Sequence, residues 1–181
     1  MLYQKIRPFW INILPSKRKS IVMLALVILM LCVGCEGNTN EDETKQQIYD
    51  DSEKLAEGYR EIYERAAEQG DLDTLEVQQK IIDSLSSSGY AAVDRDDQIN
   101  MVNYEQVEEF CKSADERSED HVTIISLLEE GDFVRYDMET KNGEIDVIVS
   151  TLRWEESKPQ VCYYHEFTAY SWKYTKKGYF F

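Results

Sequence analysis

The residues of this 181-residue chain with chemical potential are four cysteines, two histidines, 35 carboxylates and a dense C-terminal run of aromatics. Cys162 and His165 stand three apart on what reads as a strand. Without a bulge that spacing turns them to opposite faces, so they form neither a local metal pair nor a thiolate–imidazole couple. Asp94, Asp96, Gln98, Asn100 and Glu105 fall at positions 1, 3, 5, 7 and 12 of a calcium loop, but Ile99 stands where the sharp turn needs glycine. An acidic connector with a helix cap is the better reading. No Gly-x-Ser-x-Gly elbow, P-loop or dinucleotide fingerprint is present, and no cofactor or metal is expected. The aromatics remain. Tyr163, Tyr164, Phe167, Tyr170, Trp172, Tyr174, Tyr179, Phe180 and Phe181 crowd the last 19 residues. Such rings stack on sugars or grip a peptide, or they pack a core. Strand alternation sets Tyr164, Tyr170, Trp172 and Tyr174 on one face, with Tyr163 and Phe167 on the other. Tyr163, Phe167 and Trp172 are the candidate binding residues, with Trp172 leaning toward the core.

These residues must be positioned by a helical half followed by strands. From Lys45 to Gln69, Ile48, Leu55, Tyr59, Ile62, Tyr63 and Ala66 recur at steps of three, four and seven, one stripe of an amphipathic helix ended by Gly70. Asp71 or Asp73 can cap the next helix, which carries Leu75, Ile81, Ile82 and Leu85 and stops at Ser86–Gly89. Tyr90–Val93 reads as a short strand, and a third helix begins near Asn103 with Val107, Phe110, Cys111 and Ala114 on one side.

The strands follow from turn chemistry. Asn142-Gly143 signals a two-residue type I′ hairpin, which pairs Met138 with Val147, Tyr136 with Val149 and Val134 with Thr151. A second turn at Glu130-Gly131 pairs Leu127 with Val134 and Ile125 with Tyr136. Both turn Val134, Tyr136 and Met138 inward and Asp137 outward, so Asp137→Ser is expected to cost far less than Tyr136→Asp. The fold class is α+β, with two to three N-terminal helices packed on a C-terminal antiparallel β-meander of four to five strands. In element order alone it resembles the cone-shaped fold of the nuclear-transport-factor-2-like superfamily, which holds enzymes, binding proteins and lipoproteins and implies no single function.

The N-terminus sets location. Lys17, Arg18 and Lys19 precede an apolar run from Ile21 to Val33, followed by Gly34-Cys35. Thirteen apolar residues are too few for the ~20 that a spanning helix needs, so this is a signal segment. Leu31-Cys32-Val33-Gly34-Cys35 resembles the lipobox of bacterial lipoproteins, which implies diacylation of Cys35 and cleavage before it. Cys32 stands where that family has Leu. An uncleaved anchor is the alternative, and either way the basic cluster stays cytoplasmic and the body lies outside the membrane. The expected organisation is residues 1–35 as signal peptide, 36–44 as a disordered polar tether and 45–181 as one domain.

Residues 1–35 hold five basic and no acidic side chains, leaving 15 basic against 35 acidic beyond them, a formal charge of −20. Such a surface repels phosphates and excludes a nucleic-acid partner. Past Cys35 two cysteines remain, Cys111 and Cys162. They permit one disulfide outside the membrane, with two separate buried thiols as the alternative. The expected function is a non-catalytic module, held to the cell membrane by its lipid, that binds an envelope protein, peptide or glycan. The alternative is a small envelope hydrolase with a carboxylate or histidine site between sheet and helices.

Overall fold

A computed structural model describes residues 39–96, 98–169 and 171–173. The signal segment with Cys35, and the aromatics Tyr170, Tyr174, Tyr179, Phe180 and Phe181, lie outside the described residues. The chain divides into residues 1–43 and 44–181; of the first unit only the opening turn of one helix is described.

Among the described residues, four α-helices precede and interrupt the strands. Helix α1 spans Thr39–Glu57, α2 Arg60–Gln69, α3 Leu75–Ser87 and α4 Tyr104–Asp115. Strands β1 (Ala91–Asp94), β2 (Asp120–Leu127), β3 (Phe133–Lys141), β4 (Glu144–Glu155) and β5 (Lys158–Ala169) form one sheet in sequence order. β1 runs parallel to β2, and every other pair is antiparallel. The fold is α+β.

Several boundaries differ from the sequence expectation. Residues 39–44, read as tether, are helical, because Glu41 and Asp42 in the first turn of α1 complement the positive end of its dipole. The single Lys45–Gln69 helix breaks at Gly58-Tyr59, where the Gly58 N–H is shared between the Lys54 and Leu55 carbonyls at 3.2 and 3.0 Å. Gly70 ends α2 in the left-handed conformation, its N–H bonded to the Ala66 carbonyl. The cap of α3 is neither Asp71 nor Asp73. Thr74 accepts from the Val77 N–H at 3.4 Å and donates its own hydroxyl to the Asp71 carbonyl at 2.7 Å.

The sheet carries a core on each face. On one, Leu55 and Tyr59 together with Ile81, Ile82 and Leu85 of α3 pack against Ile125, Leu127, Phe133 and Leu152. On the other, α4 contributes Val107, Phe110, Cys111 and Ala114, packed against Val122, Ile124, Met138, Ile145 and Val147. The Asn142-Gly143 hairpin has the expected register, with Met138 opposite Val147, Tyr136 opposite Val149 and Val134 opposite Thr151. The β2–β3 register is one residue off. Leu127 faces Phe133 and Ile125 faces Arg135, because Glu130 and Gly131 both take left-handed angles in a loop closed by Leu128 N–H to the Asp132 carbonyl at 2.8 Å. Tyr136 and Met138 still point into a core, the one under α4, while Phe133 and Arg135 point into the other.

Candidate functional site

The two edges of the sheet are unlike. β1 is four residues long, and Val102 covers its outer side through paired Ala92–Val102 backbone bonds of 3.2 and 2.9 Å. β5 is twelve residues long, and among the described residues no strand pairs with its outer edge.

Alternation along β5 sends its side chains to two environments. Tyr164 lies toward α1, edge-on to Tyr49 at 6.1 Å between ring centres, with the Lys45 ammonium 5.1 Å from its ring. Tyr163, His165 and Phe167 lie on the opposite face, beside Thr151, Val149 and Val147 of β4. They form a continuous row, with centroids 6.4 Å apart between Tyr163 and His165 and 5.9 Å between His165 and Phe167. α4 covers the β2–β3 part of this face but not the row, so Tyr163 remains 51% and Phe167 45% exposed. For large apolar rings that exposure needs a reason.

Phe167 also lines an open cleft of about 970 Å³ with Asp115, Glu144, Ala169, Trp172 and Lys173. The structure thus brings two candidate binding residues, Phe167 and Trp172, into one cavity, with Tyr163 four residues along the same row. This corrects the sequence expectation that Trp172 faces away from Phe167. β5 ends at Ala169, so alternation does not run on to Trp172, which packs, half-buried, against the core under α4.

Cys111 and Cys162 are both free. Cys111 is buried on α4, where desolvation pushes its thiol up to about 11 and keeps it protonated. Cys162 is exposed on β5 and donates its thiol to the Thr151 carbonyl at 3.5 Å. Of the two alternatives the sequence left open, the structure has two separate thiols, one of them exposed: helix α4 buries Cys111, while Cys162 sits in the irregular step where β5 carries one extra residue against Thr151–Leu152.

Three carboxylates near the core are engaged, while the buried Oδ1 of Asp71 has no hydrogen-bond partner among the described residues. Asp94 is buried and accepts from the Gln98 and Ile99 N–H groups at 3.0 and 2.7 Å, so the calcium-like spacing is a capped turn. Asp132 accepts from the Trp154 N–H at 2.9 Å, and burial raises its pKa. Asp137 receives Nε and Nη2 of the buried Arg135 at 2.8–3.0 Å and the Thr123 hydroxyl at 2.7 Å. His121 and His165 are exposed on opposite faces of the sheet, at β2 and β5. Among the described residues no His, Cys, Asp or Glu group is arranged to hold a metal.

Sequence reasoning also missed a joint between helices and sheet. Trp154 stacks on Tyr63 at 4.0 Å, carries the Arg60 guanidinium 5.0 Å from its ring, and donates its indole N–H to the Tyr59 hydroxyl at 3.4 Å. The Tyr59 hydroxyl in turn donates to the Gly131 carbonyl at 2.8 Å. Burial raises the Tyr59 pKa, so the phenol stays a donor. Arg60 is held by Glu57, by Glu64 at 3.2 Å and by the Ser157 carbonyl at 2.6 Å. These aromatics are structural.

The chain belongs to DUF6070, a family of unknown function, whose model matches residues 45–181. No curated protein and no solved structure matches the chain.

Proposed function

We propose that this protein is a lipid-anchored, extracytoplasmic binding module that holds an envelope protein, peptide or glycan on the face carrying Tyr163, Phe167 and Trp172. The observation that carries this reading is the exposed row Tyr163–His165–Phe167 running to the cleft where Phe167 meets Trp172. Exposed rings on a rigid sheet offer large contact area at little conformational cost, which is how binding hot spots are built. A non-catalytic role is favoured over a hydrolase because the core carboxylates Asp94, Asp132 and Asp137 are each satisfied by backbone amides or by Arg135. Anchoring rests on Gly34-Cys35 after the short apolar run. No helix among the described residues is long and apolar enough to cross a membrane.

The test is the double substitution Tyr163→Ala and Phe167→Ala. Both rings are about half exposed, so the melting temperature should stay within a few degrees, while capture of envelope proteins or retention on cell-wall glycan should fall at least tenfold, about 1.4 kcal/mol. Unchanged capture by a folded variant would remove this face as the binding site.

A further inference from the structure

We infer that the partner of the Tyr163–His165–Phe167 face is a basic polypeptide held in extended conformation, its alternate side chains on the three rings and a lysine or arginine reaching past Phe167. This rests on the binding role proposed for that face and names the chemistry of what binds there. The rings project from alternate residues of one strand, with centres 6.4 and 5.9 Å apart. An extended chain rises about 3.3 Å per residue, so its alternate side chains recur about every 6.6 Å. Laid along the row, such a chain sets one side chain beside each ring, as the inner faces of packed sheets interleave. Tyr163 and Phe167, both about half exposed, supply apolar area. His165 stands exposed between them and can exchange a hydrogen bond with the partner.

Charge selects the sign of the partner. At the Phe167 end the cleft is lined by Asp115 and Glu144, with Lys173 the one basic residue among the described lining residues. Asp115 closes α4 and Glu144 opens β4. Neither carboxylate has an ion-pair partner among the described residues. A basic side chain that passes Phe167 therefore meets two carboxylates and an aromatic ring, which attract a cation by charge and by quadrupole. The chain as a whole carries 35 acidic against 20 basic residues, so its field draws a basic partner in and repels an acidic one. An uncharged glycan would stack on the rings and leave both carboxylates unused.

Fluorescence anisotropy with the full chain in detergent tests the inference. The probe is the labelled peptide Lys-Thr-Tyr-Thr-Leu-Thr-Tyr-Thr-Lys, which presents its apolar and basic side chains on one side in either chain direction. It should bind about tenfold or more tighter than its counterpart with glutamate at both ends. It should also bind several-fold tighter than Lys-Thr-Thr-Tyr-Leu-Tyr-Thr-Thr-Lys, which has the same composition without the alternation. Asp115→Asn with Glu144→Gln, two exposed positions, should erase most of the preference for lysine over glutamate. Equal binding of the lysine and glutamate peptides, equal binding of the two lysine peptides, tighter binding of a labelled chitin tetrasaccharide, or a preference unchanged in the Asp115/Glu144 variant overturns the inference. Binding that appears only after removal of residues 174–181 also overturns it, and assigns the face to the chain's own C-terminus. Any of these results with capture still lost in the Tyr163→Ala, Phe167→Ala variant leaves the binding role standing, whereas unchanged capture in that variant removes both.

Discussion

Replacing Asp137 with serine tests the polar layer buried between the sheet and α1–α3. Strand alternation alone makes this a mild surface change, and the structure reverses that expectation. Arg135 is 6% exposed. Its Nε and Nη2 donate to Asp137 at 2.8–3.0 Å, its guanidinium lies 5.8 Å from the Tyr90 ring centre, and its Nη1 finds no hydrogen-bond partner among the described residues. Serine removes the only carboxylate among the described residues that is paired with that cation. Breaking one side of a buried pair costs about 3–5 kcal/mol, because the remaining charge is left in low dielectric. The Asp137 side chain is 20% exposed, so water reaches part of the vacated space and the lower figure applies, about 3 kcal/mol. For a domain of this size that is about 10 °C in melting temperature. Urea and thermal unfolding at pH 7 measure it. The double variant Arg135→Met with Asp137→Ala removes both charges and should return to within about 1–2 kcal/mol of the parent. A cost below about 1 kcal/mol for Asp137→Ser, or a double variant no more stable than the single, would refute the buried-pair argument.

Gly131→Ala should destabilise by about 2 kcal/mol or more in urea unfolding, since φ is +78° there and a Cβ would stand 2.8 Å from Tyr63 Cδ2. Asp132→Asn should raise the melting temperature at pH 7. Burial raises the Asp132 pKa in the folded state, so ionisation costs stability as pH climbs above the ordinary aspartate value of about 3.9. The amide keeps an acceptor for the Trp154 N–H, and its advantage should fade by about pH 3, where the parent is protonated folded and unfolded alike. Cys35→Ala should abolish metabolic labelling by a fatty-acid probe; label retained in that variant would end the lipoprotein assignment.

What was legible in the sequence is what local chemistry fixes. Asn-Gly admits a two-residue turn, and that turn dictated the β3–β4 pairing residue by residue. The stripe Val107, Phe110, Cys111, Ala114 is buried as its helical spacing requires. The β2–β3 register was not legible, because Glu130 carries no signal for the left-handed angle it adopts beside Gly131, and that one extra loop residue shifts every partner. Two-faced burial did leave a mark: Ile124 and Ile125 are neighbours, so they point to opposite faces, and both are buried. A sheet with one wet face would have made one of them polar. Once both faces are core, an inward arginine needs a carboxylate two residues along its own strand, and Arg135–Asp137 supplies it. The candidate site divides the same way. Residue type marked Tyr163, Phe167 and Trp172, but their grouping depends on where β5 stops. An alternation rule carried past Ala169 puts Trp172 on the wrong side. Ending the strand at Ala169 instead brings Trp172 to the same cleft as Phe167.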